Sequence, residues 1–442
     1  MIENIDTLFR TMTGDKPLRL YAKFLAPNDN SKNQVYLGGD FSVLTLLPHG
    51  EVYSDHAETA GSVRDRAKAP LDFFWIEQGA KERADGAQLI LYPKYPEVRL
   101  SGFLKGCRIA PSKVMASRDE GRVLFLGVRD NREIIAHAVE YGHPLAQELR
   151  KNQPSELTGV FVDLSPSLHG VENSKENLRL ALQRIHEAGW ITSKRLNSKG
   201  DAIPYEKRNG GGYTLEAELG IIPNGISEPD FLGWEIKQFG VREFKYYRAK
   251  SPITLMTPEP IGGMYREQGV ETFLREFGYP DISGVADRIN FGGVYRIDNG
   301  FNARTGLQLR LTGYDLDSKA ITDINGGICL VSRDDRIAAE WPYKSIMGHW
   351  NRKHAKAAYV PSISKRRPQS YYYGDKVTLC EGTDFLLFLE GIALGSVFYD
   401  PGIKMTNSSA SRPSIKRRSQ FRIYKRHIKI LYQASSEESV FR

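Results

Sequence analysis

Two carboxylates and a lysine lie close together in the middle of this 442-residue chain: Asp230, Glu235 and Lys237. Glu235 and Lys237 flank Ile236, so on a β-strand both charged groups point to one face and the isoleucine to the other. Pro229 sets the entry to that strand, and Asp230 precedes a corner containing Gly233, from which it can fold back toward the same face. Two acids and an amine meeting at one point suit hydrolysis of a phosphodiester. That reaction needs a nucleophile made from water, charge relief on the phosphorane oxygens and a protonated leaving group. Asp230 and Glu235 would offer hard oxygen ligands to Mg²⁺. Lys237 would orient or deprotonate the attacking water, and Glu216 upstream would ligate the metal or hold one of its waters. By itself an Asp-x4-Glu-x-Lys pattern is weak. It arises by chance in roughly one chain of this length in ten, and a surface strand with a salt bridge would look the same.

The elements around these residues strengthen the pattern. Glu216 follows a glycine run, Gly210 to Gly212, on a segment that begins like a capped helix. Trp234 and Ile236 alternate with charged positions, as a half-buried strand requires. Further upstream, Ser174 opens a helical pattern through Leu178, Leu182 and Ile185 that stops at Gly189. Residues 17–150 read as strand-rich, with runs at Leu18–Leu25, Gln88–Tyr92 and Arg122–Val128 punctuated by Asn, Asp, Gly and Pro. A helix is expected over Asn131–Glu148. The polar, turn-rich stretch around 165–174 suggests a linker. The expected organisation is a two-domain α+β protein: a β-rich domain over 1–160, a linker over 161–174 and a mixed domain over 175–442.

Net charge is +8, but it is unevenly placed: Pro401–Ala434 holds nine Lys or Arg and no Asp or Glu. A field of one sign suits a polyanion such as nucleic acid, although a solvated basic tail would have the same composition. Lys404, Lys416, Arg417, Arg418 and Arg422 are candidate DNA contacts, with Arg417, Arg418 and Arg422 as candidate base readers, since arginine pairs bidentately with guanine. His349 and His354 stand five apart, poor spacing for two ligands on one helix face, so a basic helix with Trp350 in the core is the better reading. Tyr371–Tyr373 read as core or rim packing before base stacking. Three scattered cysteines, Cys107, Cys329 and Cys380, support neither a disulfide framework nor a zinc site. With no signal-like N-terminus and no membrane-length apolar run, a soluble cytoplasmic protein is expected.

The residues from Ser174 onward resemble the MvaI/BcnI group of restriction endonucleases, within the PD-(D/E)xK nuclease superfamily. The resemblance rests on Gly189-Trp-Ile-Thr-Ser-Lys-Arg195, Gly212-Tyr-Thr-Leu-Glu216, Pro229-Asp230 through Glu235-Ile-Lys237, Met256-Thr-Pro-Glu-Pro260 and Lys416 through Ile423. It also rests on the 14-residue step from Glu216 to Asp230. It implies an α/β nuclease domain with a mixed central sheet, Mg²⁺ as cofactor, and catalytic positions Glu216, Asp230, Glu235 and Lys237, the metal on Asp230 and Glu235. It further implies double-stranded DNA as partner, a short C/G-rich site of the CCWGG or CCSGG kind, and action as a monomer. Members often carry a histidine just after the catalytic lysine; here Gln238 follows.

Lys23 to Val35 resembles the opening of EcoRII-like effector domains, and Tyr92 to Phe103 the matching region of BfiI-type specificity domains. Both are DNA-binding pseudobarrels. The resemblance implies two arms gripping a major groove, with Asn28, Asp29, Lys32, Asn33 and Gln34 on the first and Lys94, Arg99 and Lys105 on or near the second. Ordinary polar hairpin tips would look similar. The combined expectation is a type II, or type IIE, endonuclease whose N-terminal domain binds a second copy of the site. Two other readings stand beside it. A repair nuclease of the MutH type would nick hemimethylated DNA with a partner, and a non-catalytic DNA-binding protein would bind its site without cutting.

Overall fold

In a computed structural model the chain is described over residues 2–441, except 14–17, 40, 42, 56–65, 78, 93–96, 130, 153–156, 159, 166–173, 224–229 and 355. It is a mixed α+β protein with several sheets. The chain divides into two compact units, Met1–Ser174 with Ala320–Ile324, and Lys175–Lys319 with Asn325–Arg442. Among the described residues no helix is long and apolar enough to cross a membrane.

The first unit carries a seven-stranded and a five-stranded sheet. The larger runs in the order Leu157–Thr158, Phe161–Asp163, Leu18–Leu25, Arg122–Arg129, Ile134–Val139, Phe73–Glu77, Ala80–Arg83. Its core gathers Leu20, Ala22, Val123, Phe125 and Ile135 with Leu8 and Leu149 from the helices Ile5–Thr13 and Pro144–Asn152. The smaller sheet runs Val35–Gly38, Glu97–Ser101, Gln88–Tyr92, Arg66–Pro70, Tyr53–Asp55.

Two expectations change here. The helix expected over Asn131–Glu148 is a strand, Ile134–Val139, followed by the helix Pro144–Asn152. All six residues of that strand are buried between two neighbours, so its apolar run carries no alternation to mark it as β. Residues 161–165 do not begin a linker. Phe161–Asp163 pairs with Tyr21 and Ala22, and the Ser165 hydroxyl accepts the Leu20 N–H. Residues 166–173 of the expected linker lie outside the described residues.

In the second unit the strand Lys356–Lys365 is the hub. Glu235–Gly240 pairs with it in parallel along one edge, while Ser370–Tyr373 and Lys376–Glu381 pair antiparallel with it, and Ala434–Ser439 adds to the latter. The helix Ser174–Glu187 lays Leu178, Leu182 and Ile185 on this sheet, against Trp234, Ile236, Ala358 and Val360. Gly189, at φ +68°, ends the helical path, as its sequence position suggests.

Candidate active site

Alternation along Glu235–Gly240 works as the residue types demand. Ile236 is buried in the apolar core under the sheet. Glu235 and Lys237 stand on the opposite face, where the Lys237 ammonium donates to Glu235 Oε1. Glu235 is almost fully buried and the Lys237 side chain is 19% exposed. Asp230 folds back toward the strand: its Oδ2 accepts the Ile236 N–H at 3.1 Å. Leu232 and Gly233, both at positive φ, form the corner between them. Pro229 lies outside the described residues.

Glu216 arrives on the helix Gly210–Glu218. The first turn of that helix abuts the sheet. A Cβ on Gly210 would stand 2.6 Å from Ser193 Oγ and 2.8 Å from Tyr371 Oη, and one on Gly211 would stand 2.9 Å from Gln238 Oε1. Glycine lets the helix begin there without moving those side chains, and the Tyr373 hydroxyl fixes it by donating to the Gly211 carbonyl at 2.7 Å.

Electrostatics draws the four residues together. Burial pulls the Lys237 ammonium toward its neutral form, but the charges of Glu235, Asp230 and Glu216 outweigh this and hold its pKa above the ordinary lysine value. In this arrangement Lys237 is a fixed cation at neutral pH. Opposite it in register lies Tyr359, whose hydroxyl shares a 2.9 Å hydrogen bond with Tyr432. Burial keeps both phenols protonated, and the nearby Glu235 charge adds to the effect. Among the described residues no three Asp, Glu, His or Cys side chains form a ready-made cation cage. The donor set instead fits a Mg²⁺ ion that takes one or two carboxylates and completes its shell with water and substrate phosphate.

The basic C-terminal residues fall into two groups. Lys404 and Lys416 face each other across paired strands, Gly402–Thr406 and Ser414–Lys416, a juxtaposition of like charges that an anion would relieve. Arg417 and Arg418 are exposed just beyond. Arg422 is different: its guanidinium is committed to Asp400 at 2.5 Å and to the Pro252 carbonyl at 2.6 Å, so it does not project as a base reader. Trp350 is buried, donating to Thr383 and stacking on Phe388, and the His354 ring contacts the Leu255 carbonyl.

In the first unit Asn28, Lys32 and Asn33 are exposed on one loop, and Lys105 is exposed on another. Arg99 donates to the Asn33 carbonyl at 3.3 Å and the Tyr92 hydroxyl to Gln34 at 3.4 Å, so the two stretches meet. Asp29 does not stand on an arm. It is buried against Lys23 at 2.7 Å and accepts the Tyr36 and Ala26 N–H groups, shaping the loop from within. Lys94 lies outside the described residues. A basic and aromatic loop directly after the acid–lysine strand, Arg242 to Lys250, is not foreseen from the sequence. Its cations interleaved with Phe244, Tyr246 and Tyr247 were the signal.

A sheet strand bearing Glu-x-Lys, with acids converging on its lysine, has the donor chemistry of a phosphodiester-cleaving nuclease. Residues 180–432, more than half of the chain, match the model of the MvaI/BcnI restriction endonuclease family, and the chain belongs to that family. It is a restriction endonuclease, an enzyme that hydrolyses DNA. A search of curated proteins finds none that matches. Similar solved structures include a restriction endonuclease MvaI–cognate DNA substrate complex, at 19% identity and a TM-score of 0.44, covering 61% of this chain and 98% of that one. Another is restriction endonuclease MvaI in the absence of DNA, at 17% identity and a TM-score of 0.33, covering 60% and 98%.

Proposed function

We propose that the chain is a Mg²⁺-dependent type II restriction endonuclease acting on duplex DNA, with Glu216, Asp230, Glu235 and Lys237 as its catalytic set. The observation that carries this reading is the convergence of three carboxylates on one buried ammonium beside a sheet edge. Asp230 and Glu235 would hold the metal, which when bound supplies charge relief on the phosphorane oxygens. Lys237, kept cationic by its acidic neighbours, holds the attacking water by donating to its oxygen and neutralises negative charge as the water adds to phosphorus. With Asp230 and Glu235 engaged on the metal, their hold on the Lys237 proton would loosen, so Lys237 would orient the attacking water or take its proton. Glu216 reaches the same point from the helix and accepts a hydrogen bond from water on that side. Opening the P–O3′ bond leaves a 5′-phosphate; the attacking water's proton goes to Lys237 or to solvent, and the departing O3′ takes a proton from solvent to become the 3′-hydroxyl. Lys404, Lys416, Arg417 and Arg418 would bind the duplex, the two arginines reading a short C/G-rich site as a monomer.

The first unit would act as an effector domain in the type IIE manner, binding a second copy of the site through Asn28, Lys32, Asn33, Gln34, Arg99 and Lys105. The contact between Arg99 and the Asn33 loop supports this by making one surface of two distant stretches. Digestion of plasmid DNA followed by run-off sequencing tests the whole reading. A unique cut position within one short sequence is expected, and intact plasmid with Mg²⁺ present would refute it. For the effector role, deleting residues 1–165 should abolish stimulation of cleavage by a second site. Undiminished stimulation in the deletion would overturn that role and leave the nuclease standing.

A further inference from the structure

The strand that carries Glu235 and Lys237 runs on through Phe239 and Gly240 into the loop Val241–Lys250. Its base is closed: the Val241 N–H donates to the Ser362 carbonyl and the Lys250 N–H to the Gly240 carbonyl, both at 2.8 Å, and Val241 bridges Ala249. Two aromatic residues turn inward and anchor the loop. Phe244 stacks on Tyr247 and meets Tyr372 edge-on, and the Tyr247 hydroxyl bonds Asp375. Gly374 leaves the space for Phe244, since a Cβ there would stand 2.9 Å from its ring. With those rings inside, Lys245, Tyr246 and Arg248 are left outside, Tyr246 at 68% exposure. The loop is therefore held in a fixed shape by contacts that do not involve its cations.

Those cations form one wall of a groove of about 890 Å³. Lys376 comes from the sheet and Arg426 from the segment after Tyr424. Glu437 is the sole carboxylate among the described lining residues, and Lys425 already occupies it. Among the described residues Lys376 also acts on Glu437 electrostatically, so that one carboxylate is shared by Lys425 and Lys376 while Lys245, Arg248 and Arg426 line the groove beside it. Three of these cations lie near aromatic rings: Lys245 at 5.1 Å from Tyr246, Arg426 at 5.2 Å from Tyr424 and Lys376 at 5.9 Å from Tyr247. The groove floor includes Phe239, which shares the Lys237 face of its strand and lies about 7 Å further along it. It also includes Thr378, the register partner of Tyr359, which is in turn the partner of Lys237. An excess of positive over negative charge thus begins on the same sheet face as the acid–lysine centre.

We propose that this groove is a clamp for the sugar–phosphate backbone of the DNA strand adjoining the bond to be cut. The inference rests on the nuclease reading for the identity of the ligand. The groove is much larger than a single phosphate, and its cations come from three separate elements, which suits a run of phosphates. Phosphate contacts of this kind fix register and add affinity without reading sequence. The clamp positions the strand for Lys237 and its acids and takes no part in bond breaking.

The test is a Lys245→Ala/Arg248→Ala double variant of the full chain. Both side chains are exposed, so folding should be unaffected, and the thermal transition checks this. Duplex binding is measured by fluorescence anisotropy without divalent cation, from about 50 to 200 mM salt. The slope of log K against log salt should fall by about 2 units, at about 0.9 for each phosphate no longer neutralised. Affinity at the lower salt should drop roughly tenfold or more. Lys245→Arg with Arg248→Lys should restore most of the slope. An unchanged slope overturns the clamp. Loss of deoxynucleoside 5′-monophosphate binding with duplex binding intact also overturns it, in favour of a free-nucleotide site. A reduced slope in a protein that never cuts DNA would support the clamp and refute the nuclease reading instead.

Discussion

Two buried lysine–carboxylate pairs, one in each unit, look alike and behave differently. Lys23 and Asp29 meet at 2.7 Å with both side chains 6% exposed. Every strong valence there is used. Asp29 also accepts the N–H groups of Tyr36 and Ala26, and Lys23 also donates to the Phe24 carbonyl. The buried Arg122 guanidinium also acts on Asp29, and Asp119 acts on Arg122 in turn, so the charges balance and the group locks a loop. Lys237 and Glu235 are also in contact, but Asp230 and Glu216 press on the same ammonium, so negative charge exceeds positive. Burial is shared by both pairs. What separates them is charge balance: a saturated, neutral pair stabilises a shape, while an unbalanced one is suited to receive a cation and a substrate.

The sharpest way to break this comparison is to remove charge from the unbalanced centre. Asp230→Ala and Lys237→Ala should each lower cleavage by on the order of 10³-fold or more with duplex binding little changed. Asp230→Ala should leave the melting temperature nearly unchanged, while Lys237→Ala, which leaves the buried Glu235 carboxylate without its ammonium, should lower it. Plasmid cleavage and anisotropy measured side by side decide it, and an active Asp230→Ala enzyme would remove the distinction. The reverse pattern is expected at the neutral pair. Asp29→Ala leaves a buried ammonium without its partner and should cost the first unit about 3–5 kcal/mol in chemical denaturation. DNA hydrolysis by the second unit should persist. The smallest effect sharpens the point: Lys23→Met with Asp29→Leu removes both charges together and should recover part of that loss, leaving a net cost of about 1–3 kcal/mol from the Tyr36 and Ala26 N–H groups that lose their acceptor. If the double replacement is as damaging as the single one, the pair is more than a neutral fastening.

What could be read from residue order follows the range of the interactions involved. The Glu235–Gly240 strand was legible because the alternation of Glu235, Ile236 and Lys237 is local and puts Ile236 alone of the three in the apolar core. The helix Ser174–Glu187 was legible for the same reason, at helical spacing. Ile134–Val139 was not, since burial on both faces erases alternation. Arg422 looked free in a basic run because its counter-charge, Asp400, stands on another segment. Asp29 looked like a loop-tip residue because its lysine, six positions earlier, gave no sign of turning back to it. The loop after Gly240 hid its shape in long-range contacts from Tyr247 to Asp375 and from Phe244 to Tyr372.

The glycine pair at the start of the Glu216 helix sets a tolerance as well as a shape. At Gly210 and Gly211 an added carbon would push aside Ser193, Tyr371 or Gln238, so the glycines let the helix sit close against these side chains. A helix turns about 100° with each residue. A slip of one position at that seat would swing Glu216 a quarter-turn and more from its present bearing on Lys237. The glycines therefore serve as an indexing notch: they say nothing about which DNA is chosen, yet they set the angle at which Glu216, the fourth member of the proposed catalytic set, approaches Lys237.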